Sequence, residues 1–527
     1  MPWERFADNG VIAVKLEVPA PRFRELFSMS AADQRISSGN QGLDRVLKGG
    51  LPPNRLYLVE GAPGSGKTTL ALQFLLDGKA QGERGLYITL SETSEELAAV
   101  ASSHGLELDG IDLFELSSAD EVLGGGREQS ILHPWELELG GTIRLIQAEV
   151  ERVQPSRVVF DSLSEMRLLA QDPLRYRRQV LALKQFFAGR NTTVILVDDL
   201  TGNGGERDAH LHSLCHGVIT LERLTLDFGA ARRRLQVQKL RGVDFVAGYH
   251  DFNIKKGGLD VYPRLIALDH HTPFEGEPTP SGVDELDALL GGGPLRGTST
   301  LLTGPAGSGK TNIALQFVCA ACARGERAVI YEFDERIGTL LVRARAMGLE
   351  VERYMSEGLL EIVQIDPAEI APGEFSWNIL RAVEDRQVRM VVFDSLAGYL
   401  AAMPQEQQLL LQMHELLSYL SQQGVVTLLI NPQSGLLGTM TSNLNISYIA
   451  DAVLLLRFFE ANGRIRKAIS VIKNRGGEHE DSIRELRVDS QGVRVGAVLD
   501  GFKGVMTGTP EYIGADAALM EDRTPGE

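Results

Sequence analysis

The sequence predicts an α/β fold in two tandem copies, each a mostly parallel sheet flanked by helices. A glycine-rich octapeptide occurs twice, at residues 61–68 and 304–311, and Gly82-Glu83-Arg84 recurs as Gly325-Glu326-Arg327 at the same offset. Short apolar stretches alternate with helical segments in both halves, which is typical of a parallel sheet covered on both faces. The repeat is far longer than a solenoid unit and therefore indicates a duplicated domain.

The strands of each half are predicted from short apolar runs. A strand and a helix flank each octapeptide, at 55–60 and 69–76 in the first half and at 298–302 and 312–318 in the second. Further strands are expected near 86–89, 158–160, 194–197, 218–221 and 235–239, and then near 328–333, 390–393, 425–430, 452–456 and 468–473.

Domain boundaries follow from the repeat. The 527 residues suffice for two to four domains. We expect an N-terminal extension over 1–35, a first domain over 36–265, a second over 275–505 and an acidic tail over 506–527. The join lies near 263–280, where prolines gather and the periodicity breaks.

Composition argues against several classes of protein. No apolar run approaches the ~18 residues of a membrane span, and the N-terminus has no apolar signal-peptide core. We therefore expect a cytoplasmic protein with no membrane partner. The net charge of −17 opposes binding to nucleic acid, which depends on phosphate neutralisation. Three cysteines indicate no disulfide framework.

Both octapeptides fit G-x-x-x-x-G-K-[ST], the phosphate-binding loop of nucleotide triphosphatases. Glycines let backbone N–H groups surround the phosphates, the lysine reaches the β and γ oxygens, and the threonine hydroxyl holds Mg²⁺. The sequence therefore predicts two sites for ATP and Mg²⁺. The ATP-binding candidates are Gly64, Ser65, Gly66, Lys67, Thr68 and Thr69 in the first half, and Gly307, Ser308, Gly309, Lys310, Thr311 and Asn312 in the second.

An acidic strand end accompanies each loop. The apolar runs at 157–160 and 389–393 end in Asp161 and Asp394. A carboxylate at the carboxyl end of a buried strand beside the loop can hold Mg²⁺ or its waters. Together with Thr68 and Thr311, these aspartates are the predicted metal ligands.

Carboxylates also follow the strand after each loop helix. A general base must lie within hydrogen-bond reach of the attacking water or hydroxyl. Glu92 is the candidate in the first half, and Asp334 and Glu335 are the candidates in the second. The alternative is a solvated acid at a strand end.

Each half contains a predicted strand that ends in the motif K-x-R-G. Lys239 and Arg241 flank Leu240, and Lys473 and Arg475 flank Asn474. Such cations, aimed across a subunit boundary, could stabilise charge on a neighbour's γ-phosphate, as an arginine finger does. The alternative is a solvated basic edge in an acidic protein.

The doubled loops, the strand-end acids, the two F-D-S strands and both K-x-R-G endings resemble the KaiC family of tandem RecA-like ATPases and autokinases. The resemblance extends from about Ser37 to Val505. It implies a homohexameric double ring with ATP between neighbouring subunits. It also implies a slow ATPase in the first tier, phosphotransfer to a Ser-Thr pair in the second, and a regulatory protein partner of the KaiB or signalling type.

The chain departs from the family pattern at three places. The paired glutamates of the family become Ser91-Glu92 in the first half, which leaves Glu92 as the base, and Asp334-Glu335 in the second. The phosphorylated Ser-Thr pair falls on Ser447-Tyr448, so Ser447 is the candidate phosphoacceptor and the threonine is lost.

Three hypotheses follow. The first is a KaiC-like ATPase with serine/threonine autokinase activity. The second is a nucleotide-gated hexameric signalling scaffold with ATPase activity and little phosphotransfer, which Ser91 and Tyr448 favour. The third is a RecA-like DNA-dependent ATPase, against which the net charge argues.

Overall fold

The first half forms a nine-stranded sheet. The computed structural model describes residues 34–116, 134–170, 172–200, 209–225, 229–401, 406–433, 448–506 and 510–513. The strands are β1 (Leu56–Gly61), β2 (Gly85–Thr89), β3 (Asp112–Glu115), β4 (Arg157–Asp161), β5 (Thr193–Asp199), β6 (Gly217–Leu224), β7 (Arg232–Leu240), β8 (Tyr249–Lys255) and β9 (Gly258–Tyr262). Their order is β3-β2-β4-β5-β1-β6-β7-β8-β9, parallel as far as β6 and antiparallel beyond it.

The second half repeats this architecture. Its strands are β10 (Ser299–Gly304), β11 (Arg327–Glu332), β12 (Leu360–Gln364), β13 (Val388–Asp394), β14 (Val426–Pro432), β15 (Ala452–Ala461), β16 (Arg464–Asn474), β17 (Arg484–Asp489) and β18 (Gly492–Val498). Their order is β12-β11-β13-β14-β10-β15-β16-β17-β18, with the same change from parallel to antiparallel after β15. A separate two-stranded ribbon joins β19 (Phe502–Lys503) and β20 (Glu511–Tyr512).

Helices cover both faces of each sheet. On the first sheet, one face carries Gln41–Val46, Lys67–Ala80 and Ser94–Ser103, and the other carries Pro134–Val153, Leu163–Ala170, Pro173–Phe187 and Ala209–Leu214. On the second, one face carries Asp284–Leu289, Lys310–Ala323, Ile337–Ala346 and Val351–Ser356, and the other carries Pro372–Glu384, Leu396–Ala401 and Glu406–Gln422. A short 3-10 helix, Ala267–Asp269, lies between the halves.

The alternation of side chains along the strands explains why helices cover both faces of each sheet. In β1, Tyr57 and Val59 pack into one core while Leu56 and Leu58 pack into the opposite one. A strand that is apolar at every position must bury both faces, because successive side chains point to opposite sides. The predicted α/β fold with two mostly parallel sheets is therefore confirmed.

The antiparallel ends of the sheets extend beyond the prediction. In the first half, the predicted strands ended at residue 239, and β8 and β9 were not foreseen. Their sequences mix charged and apolar residues because they lie at the sheet's margin. In β8, for example, Phe252 is buried whereas Tyr249 is exposed. β3, β12, β17 and β18 were missed as well.

The two halves contact each other through polar groups. Lys255 Nζ pairs with Glu374 Oε1 at 2.7 Å, and the Gly373 N–H donates to Asp251 Oδ2 at 2.8 Å. The Ala230 N–H donates to the Ala368 carbonyl at 3.1 Å. These contacts connect the antiparallel end of the first sheet to the helix Pro372–Glu384 and to the residues just before it.

Within the described ranges, no helix is both long and apolar enough to cross a membrane.

His250 is a fully buried titratable group in β8. Its Nδ1 accepts from the Arg264 N–H at 2.9 Å, and its Nε2 lies 3.0 Å from the Val246 carbonyl. The neutral ring with a proton on Nε2 satisfies both contacts. Burial lowers the pKa of His250 from 6.5 to about 4.

We expect the stability of the first half to fall as the pH drops from about 6.5 towards 4. His250 takes up its proton in the unfolded chain before it does so in the folded one, so this group alone removes up to about 3 kcal/mol. Denaturant melts of wild type and His250→Gln over this range measure the effect. Glutamine keeps one donor and one acceptor but does not titrate, so the stability of the variant should depend less on pH than that of wild type. An equal pH dependence of the two proteins would contradict the role given to His250.

Candidate nucleotide sites

Both glycine-rich loops form an open cradle at the start of a helix. Gly66 and Gly309 are the N-caps of the loop helices and have φ values of 105° and 111°, a left-handed conformation that favours glycine. A Cβ on Gly66 would lie 2.9 Å from Ile254 Cδ1. Neither cap offers a side-chain acceptor to the first helical N–H groups. Those donors and the helix dipole suit an anion such as a phosphate.

The loop serines and lysines are buried. Ser65 Oγ and Ser308 Oγ are buried and have no hydrogen-bond partner among the described residues. Lys67 Nζ donates to the carbonyls of Gly61 and Ala62, at 3.0 Å each. Lys310 Nζ donates to Gly304 and Pro305 at 3.0 and 2.8 Å. Both ammonium groups are therefore held over their own loops.

The predicted metal ligands meet in both halves. Thr68 Oγ1 donates to Asp161 Oδ2 at 3.2 Å, and Thr311 Oγ1 donates to Asp394 Oδ2 at 2.6 Å. In the first half, the Tyr87 hydroxyl also donates to Asp161 Oδ2, at 2.5 Å. The two pairings follow from strand order, because β4 and β13 end beside the loops with their carboxylates at the carboxyl edge.

The electrostatics of the two aspartates suit a cation. Burial raises the pKa of Asp161 and of Asp394 above the usual range, and hydrogen bonds from the neighbouring hydroxyls act against it. A divalent ion would favour the charged carboxylate. No group of three or more His, Cys, Asp or Glu side chains in the described part of the chain could hold a metal by itself. A hydroxyl and one carboxylate nevertheless fit Mg²⁺, which keeps waters and takes phosphate oxygens as ligands.

The candidate base of the first half is only partly enclosed. Glu92 is half-buried, and its buried Oε2 has no hydrogen-bond partner among the described residues. Burial and the charge of Asp161 raise its pKa. The Thr89 hydroxyl accepts from the Glu92 N–H at 3.0 Å and donates to the Glu92 carbonyl at 2.8 Å. Thr89 thus holds the backbone of Glu92 at the end of β2.

In the second half, the carboxylates of both candidate bases have hydrogen-bond partners. Asp334 Oδ2 accepts a hydrogen bond from Ser395 Oγ, and Glu335 forms two contacts with Arg343, at 3.2 and 2.7 Å. Both carboxylates therefore have partners. The backbone of Glu335 is held by Glu332, whose Oε1 accepts from the Glu335 N–H at 3.0 Å. Glu332 thus takes the place that Thr89 has in the first half.

Glu332 was not predicted as a site residue. It ends β11 opposite Asp394 in the sheet register and is 1% exposed. Its Oε2 is buried without a hydrogen-bond partner among the described residues. Burial, followed by the charge of Asp394, raises the pKa of Glu332 to about 8. The available signal was a glutamate at the last buried position of an apolar strand, where the first half has threonine.

The K-x-R-G cations lie away from the loops of their own halves. Lys239 Nζ donates to the His212 carbonyl, Arg241 Nη2 donates to the Ser213 carbonyl at 2.7 Å, and Leu240 between them is buried. In the second half, Lys473 Nζ donates to the Ala450 carbonyl at 2.6 Å. Asn474 Nδ2 donates to the Leu290 carbonyl at 3.4 Å, and Arg475 is exposed.

The candidate phosphoacceptor Ser447 lies outside the described residues. The adjacent Tyr448 is described and is 57% exposed.

Comparison with known proteins identifies the family. The family model described as "ATPase: KaiC" matches residues 36–266 and 279–499. A circadian clock protein KaiC3 of Synechocystis sp. is 27% identical over 492 residues, which cover 91% of this chain and 95% of that protein. A circadian clock oscillator protein KaiC of Synechococcus elongatus is 28% identical over 493 residues, covering 90% and 92%. The KaiC of Parathermosynechococcus lividus is 26% identical over 489 residues, covering 91% and 88%.

We expect Glu332→Gln to stabilise the second half at alkaline pH. The folded protein holds the Glu332 proton up to about pH 8, whereas the unfolded chain releases it near 4.5, so wild type loses stability as the pH rises between these values. Glutamine is neutral throughout and can still accept from the Glu335 N–H. The two proteins should melt alike near pH 5, and the variant should gain at least ~1 kcal/mol near pH 8.5.

Nucleotide-free thermal melts at both pH values measure this difference. Glu361→Gln, on the exposed β12 edge, is the control for a general change in charge. A constant offset between wild type and Glu332→Gln at the two pH values would contradict the assignment.

Proposed function

The chain belongs to the KaiC ATPase family, and from that premise we propose that it binds Mg-ATP in both halves, hydrolyses ATP, and transfers phosphate to Ser447. The observation that carries the proposal is the repeated geometry of loop lysine, threonine and strand-end aspartate. The active assembly in this proposal is a homohexamer in the cytoplasm, with ATP between neighbouring subunits and a regulatory protein of the KaiB or signalling type as a partner.

The residues of each half have separate tasks in the proposed mechanism. Lys67 and Lys310 bind phosphate oxygens together with the N–H groups of their loops. Thr68 and Asp161, and likewise Thr311 and Asp394, would hold Mg²⁺, which supplies positive charge at the phosphates when bound. This chemistry depends mainly on positioning and charge stabilisation, because the phosphoryl group needs little covalent assistance.

Proton acceptance differs between the two halves in this proposal. In the first, water attacks the γ-phosphorus, the bond to ADP breaks, and Glu92 takes the proton of the water. Its raised pKa makes Glu92 a stronger base than an exposed glutamate. In the second, the Ser447 Oγ–phosphorus bond forms as ADP leaves, and Asp334 or Glu335 takes the hydroxyl proton.

Sheet polarity supports a role of the K-x-R-G cations across the subunit boundary. Lys239 is paired with Val218 near the amino-terminal end of β6, whereas the loop begins beside Leu221 of the same strand. Val218 and Leu221 are about 10 Å apart along β6. Lys239 therefore lies towards the edge of the sheet away from the loop. Lys473 has the same relation to β15. Such cations suit the site of a neighbour rather than their own.

The second candidate function is a nucleotide-gated hexameric scaffold with little phosphotransfer. The engagement of Asp334 by Ser395 and of Glu335 by Arg343 favours it, because a base with existing partners must first exchange them. Binding to DNA has no such support, and the expectation from the net charge stays a prediction.

We expect incubation with MgATP to place phosphate on Ser447. Mass spectrometry of the peptide that contains Ser447, before and after incubation, measures it. Ser447→Ala should lose the modification and still hydrolyse ATP, and Tyr448→Phe is the matched control that removes the neighbouring hydroxyl. ATP turnover by an intact assembly without any phosphate on this peptide would favour the scaffold.

We expect Lys473→Ala to lower ATP turnover of the second tier at least ~10-fold, because a cation at the γ-phosphate stabilises transition-state charge. Turnover is measured in a Glu92→Gln background that suppresses the first tier. Subunits with Lys473→Ala should partly recover activity when they assemble with Lys310→Ala subunits. The first type keeps the loop lysine, the second keeps the K-x-R-G lysine, and a boundary between the two types can therefore hold one complete site. Mixed assemblies without recovery would contradict action across the boundary.

A further inference from the structure

Asp199 contacts the loop lysine of the first half. It ends β5, and the strand register places it opposite Gly61, where the glycine-rich loop begins. Its Oδ1 lies 2.7 Å from Lys67 Nζ, and the lysine side chain is only 7% exposed. A lysine ammonium has three donors. Gly61, Ala62 and Asp199 supply three acceptors, so the ammonium is fully satisfied by the protein.

The second half lacks this carboxylate. Pro432 lies opposite Gly304 in the equivalent strand pair and has no charged group to offer. Lys310 donates to two loop carbonyls, and no third contact of its ammonium occurs within the described ranges. Burial lowers the pKa of Lys310 to about 8, with the charge of Asp394 acting against it. The two loops thus share their backbone geometry and differ in the charge at one position.

A serine pair gives Asp199 a second contact. Ser164 Oγ donates to Asp199 Oδ2 at 3.3 Å and lies 2.6 Å from Ser162 Oγ. Ser162 follows Asp161 directly in the chain, and Ser164 comes two residues after it. The carboxylate therefore keeps a hydrogen-bond donor if the lysine moves towards a phosphate.

We propose that Asp199 is a positioning residue that competes with the γ-phosphate of ATP for Lys67, so that the first site binds ATP more weakly than its loop geometry alone would allow. The inference rests on the proposed function of the first loop as an ATP site. ATP must take Lys67 from a carboxylate that stays nearby, and two anions beside one ammonium repel each other. The cost falls mainly on the γ-phosphate, so ADP is affected less.

Nucleotide binding to the full chain tests the proposal. First-site affinity is measured by equilibrium dialysis with ATP and with ADP, in a Lys310→Ala background that silences the second loop. Asp199→Asn keeps the shape of the side chain and removes its charge. We expect it to bind ATP about 10-fold more tightly and to change ADP affinity less. Glu151→Gln, a surface substitution in the helix Pro134–Val153, is the matched control.

The converse variant does not depend on the folding of Asp199→Asn. Pro432→Asp in a Lys67→Ala background introduces the carboxylate into the second half, and we expect weaker ATP binding there. If the wild-type first site binds ATP and Asp199→Asn binds it equally or more weakly, the competition by Asp199 is contradicted and the proposed function of the loop is not. A first site that binds no ATP, with or without Asp199, would instead overturn the proposed function of the first loop.

Discussion

The hydrogen bond from a loop threonine to the aspartate that ends a parallel strand two places away in the sheet is the contact around which each half is arranged. It requires that the loop and the acidic strand end at the same edge, which parallel strands guarantee. Parallel strands of this kind are connected by helices that cover both faces of the sheet. The layered architecture thus brings one hydroxyl and one carboxylate together beside the N–H groups of the loop.

The two halves use this arrangement with different charges. In the first, an uncharged threonine holds the candidate base, and a carboxylate faces the loop lysine. In the second, a buried glutamate holds the candidate base, and proline lies opposite Gly304 at the start of the loop. The same backbone accommodates both sets of residues. Threonine and glutamate both accept a hydrogen bond from the N–H of the candidate base, whereas proline in place of Asp199 simply lacks the contact with the lysine. Duplication has thus preserved the cradle while the surrounding electrostatics diverged.

Sequence patterns predicted the parts of the site that are local in the chain. The loops and the strands ending in Asp161 and Asp394 each occupy one continuous stretch, so composition and spacing reveal them. Contacts between strands were beyond such reasoning. Asp199 meets Lys67 only because β5 pairs with β1, and Ser395 reaches Asp334 only because β13 lies beside β11. The strands β8 and β9 were missed because marginal strands lack a continuous apolar run.

Strand polarity also bears on why the chain would act as an assembly. The K-x-R-G strands run antiparallel to their neighbours, so each ends at the edge where the parallel strands begin. Its terminal cations are then held by carbonyl groups at that edge, away from the loop of the same half. In the first half, the loop begins about 10 Å further along the strand. In the proposed function these cations act on the ATP of another subunit, so each half would be completed only when a second copy lies beside it.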